Sequence, residues 1–317
     1  MKKILVTSTN YSKYCAAGKK LLMDYGCEII ENPHGRPYTF EELKTLVPDV
    51  DAVVCGVDTW DDAVFRLAPK LKAIARFGVG VDNIDLTAAK EHGVKVTNCV
   101  GVNTSAVAEH AVGLLLSLVR DIPALNASTR QGEWSRAMFH ELKGKTVGLI
   151  GFGAIARSVA KKLSAFDVRL IACDKFPNQK LAEELNVTIT DFDTVVATGD
   201  ILSIHLPNTA ETHHLFNDAC FAAMKDQVYI INTARGPIVD EKALYRALES
   251  GKIAGIGTDV YEDEPAVPQN PLFKFKNYIC TPHVAAETFE NYSTTSVITA
   301  EAIIAVLEGR QPLNLLN

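Results

Sequence analysis

The stretch TVGLIGFGAIARSVAKKL, Thr146 to Leu163, constrains this chain more than any other. An apolar run ends in Gly151, and Gly153 and Ala156 follow at G-x-G-x-x-A spacing before a segment of helical periodicity. Gly151 permits a tight turn, Gly153 lets a ligand approach the backbone, and Ala156 allows the helix to pack closely on the strand. The amides of Ala154 and Ile155, at a helix N-terminus, form an anion site suited to a pyrophosphate. The next apolar run, RLIACD, ends in Asp174, about 20 residues further on, where an acid can accept the hydroxyls of an adenosine ribose. Strand, glycine turn, helix, strand and acid in this order predict a dinucleotide site. Asp174 repels a 2′-phosphate and favours NAD, whereas the adjacent Lys175 keeps NADP open.

At 317 residues the chain is long for one core, which predicts two domains. With 47% hydrophobic residues, 22% charged residues and a formal net charge of -6, the composition is that of a globular protein with no electrostatic footprint for nucleic acid. No apolar run has transmembrane length, and the N-terminal MKKILVT carries no cleavage pattern, so a cytoplasmic protein is expected. Seven scattered cysteines, none in a C-x-x-C pair, predict reduced and mostly buried thiols. The pair His213-His214 has no carboxylate at ligand spacing, and no metal site is expected.

Short apolar strands alternate with helical patterns along most of the chain. KILVT, CEIIE, DAVVCG, KAIARF and VKVTN form a first series, and KTVGLIGFG, RLIACD, DILSIHL, VYIINTA, GIGTDV and YICTPH a second. Such alternation predicts parallel sheets wrapped by helices. Between the series, NTSAVAEHAVGLLLSLVRDI reads as a helix apolar on nearly every side, expected to be buried at a domain or subunit contact.

Ionisable residues of the second series fall at strand ends: Arg235 in NTARGP, Asp259 and Glu264 in TDVYEDEP, and His283 in TPHVAAET. Taken singly, His283 reads as a structural histidine, Arg235 as a surface cation and Glu264 as a solvated carboxylate. Ligands of open α/β sheets bind at the carboxyl ends of strands, however, so these segments can converge on the nicotinamide end of a dinucleotide. An arginine, an acid and an imidazole in one place suit an anionic substrate that exchanges a proton. Histidine serves in either direction because its pKa lies near working pH.

The set GFGAIA with Asp174, NTARG with Arg235, DVYEDEP with Glu264 and TPH with His283 resembles the D-isomer-specific 2-hydroxyacid dehydrogenase family, as do RFGVGVDNID and NTSAVAEHAVGLLLSLVR. The resemblance implies two Rossmann-like, doubly wound α/β domains. Residues 1–98 and 286–317 would form a discontinuous substrate domain, and residues 99–285 the dinucleotide-binding domain. It implies NAD as cofactor, Arg235, Glu264 and His283 as the catalytic set, and a homodimer that uses the long helix and the QGEWSRAMF arm. It also places His205, Leu206, Pro207, Thr233, Ala234 and Asp259 beside the cofactor, and the amides of Val79 and Gly80 on the substrate carboxylate. Within the family, GVGVDNIDL and GEWSRAMF are most like the 3-phosphoglycerate dehydrogenases. That narrower likeness implies 3-phosphoglycerate as substrate, with Arg76 and Arg136 holding the phosphate and Arg136 reaching a partner subunit. With the chain ending at Asn317, an enzyme without serine feedback is expected. A hydroxypyruvate or glyoxylate reductase is the alternative with the same catalytic residues, and a non-catalytic NAD-sensing co-repressor a remote one.

Overall fold

The computed structural model describes residues 1–134 and 136–317; Ser135, within the GEWSRAMF segment, lies outside the described residues. The chain divides into two compact units, Met1–Asn103 with Glu287–Asn317, and Thr104–Ala286. Each is a parallel sheet covered by helices.

In the first unit, β1 (Lys2–Val6), β2 (Cys27–Ile30), β3 (Ala52–Cys55), β4 (Ala73–Arg76) and β5 (Lys95–Thr97) are ordered β2-β1-β3-β4-β5. Strands covered on both sides read as continuous apolar runs, and every residue of β3 is buried. Alternate side chains go to opposite faces. Ile4, Val6 and Val54 pack with Leu22 and Ile303, whereas Leu5, Val53 and Cys55 pack with Leu43, Trp60 and Phe65. The helix Phe289–Leu307 returns the chain to this unit. Beyond it, Leu316 donates to the Val96 carbonyl at 2.9 Å, which fixes the C-terminus to β5. Asn98 and Cys99 stay with this unit because the Asn98 amide group donates to Val79 O (2.8 Å) and the Cys99 N–H to Gly78 O (2.8 Å). The change of unit therefore falls after Asn103.

In the second unit, β6 (Thr146–Ile150), β7 (Arg169–Cys173), β8 (Val187–Ile189), β9 (Ile201–Ile204), β10 (Val228–Asn232), β11 (Ile253–Thr258) and β12 (Tyr278–Cys280) are ordered β12-β11-β10-β9-β6-β7-β8. The order reverses between β6 and β9, the kind of switch point at which open α/β sheets bind ligands. The helix Thr104–Arg120 lies on this sheet, where Ala108, Ala111, Leu114 and Leu115 pack with Val147, Leu149 and Ile231. Its apolar girth is thus explained largely by the sheet of its own unit. No single helix among the described residues is long and apolar enough to cross a membrane. All seven cysteines are free thiols, six of them buried and Cys280 exposed.

Candidate active site

The glycine turn closes β6 and opens the helix Ala154–Leu163. Gly151 sits at φ +93, and a Cβ there would come within 2.7 Å of the His205 carbonyl, so both the conformation and the approach of the β9 end demand glycine. Gly153 has open space where a side chain would stand, and as helix N-cap it provides no side-chain hydrogen bond to the first turn. That first turn is therefore available for an anion. Asp174 is held at the end of β7: its carboxylate accepts from the Phe152 amide at 2.7 Å and the Phe176 amide at 2.8 Å. On the other side of the turn, His205 N–H donates to Ile150 O at 2.8 Å and its Nε2 lies 2.9 Å from Ser203 Oγ. Burial pushes the His205 pKa down to about 4, so this imidazole is neutral. Leu206 also borders the Gly151 turn, and Pro207 O accepts from the Thr212 hydroxyl at 2.6 Å. The Thr233 hydroxyl is buried without a partner among the described residues, and the Ala234 N–H donates to Asn232 Oδ1 at 3.0 Å. An uncapped helix start, a cradle open at Gly153 and an orphaned hydroxyl fit a dinucleotide.

Arg235, Glu264 and His283 follow β10, β11 and β12, neighbouring strands. Asn232 braces the first turn, its amide group donating to Arg235 O at 3.0 Å. A Cβ on Gly236 would fall on the Tyr261 carbonyl, so the NTARG and DVYEDEP segments meet only because glycine stands there. Glu264 Oε1 accepts from the Tyr261 N–H at 3.0 Å, and Oε2 lies 2.7 Å from His283 Nδ1. Desolvation raises the Glu264 pKa, but the hydrogen bond and charge of His283, the Tyr261 amide and Arg235 outweigh it and hold the carboxyl below its ordinary value. For His283, the hydrogen bond to Glu264 outweighs desolvation, and the charges of Glu264 and Asp259 add to it. Arg235 opposes them, and the net pKa lies above an ordinary histidine's. The three groups thus act on one another. With Nδ1 committed to Glu264, Nε2 is the nitrogen left for substrate, and the half-exposed His283 side chain permits access.

The backbone of His283 is left-handed, at φ +54, a conformation sparsely used by non-glycine residues and sustained only where the surroundings enforce it. Asp259 provides that enforcement. It is 1% exposed and accepts from the Thr281 hydroxyl (2.6 Å), the Val284 N–H (2.9 Å) and the Ala285 N–H (2.8 Å), on both sides of His283. His110 Nε2 lies 2.9 Å from the same Thr281 hydroxyl, and Tyr261 OH donates to Thr281 O at 2.9 Å. Expected beside the nicotinamide, Asp259 has its carboxylate engaged in the histidine turn. The residues of this network, His110, Tyr261 and Thr281, carry no spacing signal; His110 and Thr281 are 171 residues apart.

The expected substrate residues of the first unit lie at the end of β4 and on the loop that follows it. Arg76 is part-buried and turned onto that loop: Nε donates to Gly80 O at 2.9 Å, and Nη1 to Phe77 O at 2.6 Å and Cys55 O at 3.5 Å. The amides of Val79 and Gly80 have no hydrogen-bond partner among the described residues. Arg136 is exposed. His213 and His214 stack at 4.1 Å between ring centroids, and His214 Nε2 lies 2.6 Å from Glu262 Oε1.

Residues 112–285 match the model of the D-isomer specific 2-hydroxyacid dehydrogenase NAD binding domain. The chain is 44% identical over 280 residues to a D-3-phosphoglycerate dehydrogenase of Archaeoglobus fulgidus, covering 87% of this chain and 53% of that protein. It is 40% identical over 308 residues to a glyoxylate reductase of Thermofilum pendens, covering 95% and 91%. It therefore spans about half the length of the first relative and nine-tenths of the second. Among solved structures, it is similar to the apo-structure of D-lactate dehydrogenase from Escherichia coli (TM-score 0.89, 33% identity, all of both chains). It is also similar to an NAD-dependent formate dehydrogenase from Staphylococcus aureus in complex with NAD (TM-score 0.86, 30% identity, 100% and 99% covered). The chain belongs to the D-isomer-specific 2-hydroxyacid dehydrogenase family, and its second unit carries that family's NAD-binding domain.

Proposed function

We propose that this protein transfers hydride between NAD and C2 of a small, unphosphorylated D-2-hydroxy or 2-oxo acid, of the hydroxypyruvate or glyoxylate kind. The observation that carries the reaction is the 2.7 Å contact of His283 Nδ1 with Glu264 Oε2, with Arg235 close enough to act on both. When bound, the nicotinamide supplies the hydride donor or acceptor. His283 Nε2 gives a proton to the carbonyl oxygen in reduction and takes it from the hydroxyl in oxidation. Glu264 orients the ring and stabilises the imidazolium, as a carboxylate does beside a catalytic histidine. Arg235 pairs with the substrate carboxylate and polarises the carbonyl, for which its planar fork is suited.

The engagement of Arg76 supports the unphosphorylated substrate. A phosphate brings nearly two further charges and needs cations. Arg76 is engaged with the Gly80 and Phe77 carbonyls. The expected result is that kcat/KM for hydroxypyruvate or glyoxylate exceeds that for 3-phosphohydroxypyruvate by at least about tenfold, one charge-assisted contact. The opposite ranking would establish a phosphoglycerate dehydrogenase, with Arg136 as its cation. Pairing of two copies is supported by the helix Ile122–Arg130, which buries no residue, and by Trp134 and Met138, exposed at 84% and 95%.

In the same reading Asp174 receives the adenosine ribose. Asp174→Ala should weaken NADH binding roughly tenfold, the loss of a charge-assisted pair of hydrogen bonds, and narrow the gap to NADPH. Fluorescence titration with both cofactors checks this; a wild type that prefers NADPH would remove Asp174 from the role.

A further inference from the structure

Asp174 is followed by a lysine, a cation that could receive the 2′-phosphate of NADPH and cancel the repulsion from Asp174. Lys175 is placed otherwise. Its Nζ lies 3.1 Å from Glu211 Oε2 and 3.4 Å from Oε1, astride one carboxylate. Glu211 belongs to the segment after β9, and Lys175 follows β7. Because β7 and β9 flank β6, the pair joins the two sides of the strand whose end carries the glycine turn. A second cation, Arg157, is turned onto the Phe152 carbonyl at 2.8 Å, and the Phe152 amide in turn donates to Asp174. Asp174 meanwhile accepts two backbone amides, whose dipoles oppose its charge and weaken the repulsion it can exert alone.

We propose that Glu211 is a cofactor-specificity residue: by holding the Lys175 ammonium it withholds that cation from a 2′-phosphate, so NADPH is excluded by two carboxylates acting together. The pair is 68% and 76% exposed, a setting in which an ion pair adds little to stability. Its removal should leave the fold intact while freeing a long, flexible side chain within reach of the ribose end. Phosphate is a stronger attractor than the lost carboxylate because it carries nearly two charges. The inference rests on the reading of Asp174 as the ribose acceptor.

The test is a fluorescence titration of NADH and NADPH on wild type, Glu211→Gln, Lys175→Ala/Glu211→Gln and Asp174→Ala. In Glu211→Gln, NADPH should bind about 3- to 5-fold tighter, the scale of releasing an exposed ion pair worth up to about 1 kcal/mol, while NADH stays within about twofold because it offers no 2′-phosphate. The gain should vanish in the double variant and shrink as ionic strength rises from about 0.05 M to about 0.5 M, since the contact is exposed. NADPH affinity unchanged in Glu211→Gln, or a gain that survives loss of Lys175, overturns the proposal. If that happens while Asp174→Ala still weakens NADH, the ribose site stands and only the role of Glu211 falls. If Asp174→Ala alters neither cofactor, the ribose reading fails and takes the proposal with it.

Discussion

Turnover of the His283→Ala variant should fall by roughly 10²–10⁴-fold, the range for a lost general acid-base group, with the affinity for NADH nearly unchanged. The split follows from the proposed roles, in which His283 meets the transferred proton and the glycine turn and Asp174 hold the dinucleotide. Its pH dependence can be signed. The His283 pKa is raised, chiefly by Glu264, so reduction, which needs the imidazolium, should persist above the ordinary histidine value of about 6.5 and decline as pH passes the raised pKa. Glu264→Gln removes the charge that raises it, and the decline should move to lower pH. The same pair contributes to stability with two limits. On the alkaline side, its contribution is whole below the unfolded imidazole value of about 6.5 and lost as pH rises through the raised pKa. On the acid side, it is whole above the unfolded carboxyl value of about 4.3 and lost as pH falls through the lowered Glu264 pKa. Steady-state rates against pH for both variants check these expectations. Unaltered turnover in His283→Ala, or a Glu264→Gln profile that overlays the wild type, would refute the assigned roles.

Asp259→Ala should lower stability and turnover together. It removes the acceptor of the Val284 and Ala285 N–H groups and leaves the Thr281 hydroxyl to His110 alone. Each unsatisfied buried donor costs about 1–3 kcal/mol, so a loss of about 2–4 kcal/mol is expected after partial relaxation. The left-handed backbone of His283 would lose its restraint, and kcat should fall with stability. Asp259→Asn keeps one accepting oxygen and should fall between. Urea midpoints, kcat and NADH affinity measured together separate two roles for Asp259. Loss of stability and kcat with NADH affinity retained marks the anchor of the histidine turn. Loss confined to NADH affinity would instead place Asp259 at the nicotinamide.

Sequence alone determined those features whose signal lies in contiguous residues. The glycine turn was legible because φ freedom at Gly151, the open approach at Gly153 and close packing at Ala156 are demands on single positions within one strand-turn-helix unit. Apolar runs three to six residues long, alternating with helices, were enough to place Arg235, Glu264 and His283 at strand ends, since both faces of a parallel strand are buried. What the side chains do there was decided by tertiary structure. Nothing in RFGVGVDN shows the Arg76 guanidinium donating to the Gly80 and Phe77 carbonyls. Nor does GTDVYEDEP show Asp259 grasping the turn 25 residues later, or DKF a lysine caught by a glutamate 36 residues on. Propensity and period act between neighbours along the chain. The partner of a charged or buried polar group depends on which strands lie side by side, and only the packed sheet order brings those groups within hydrogen-bond distance.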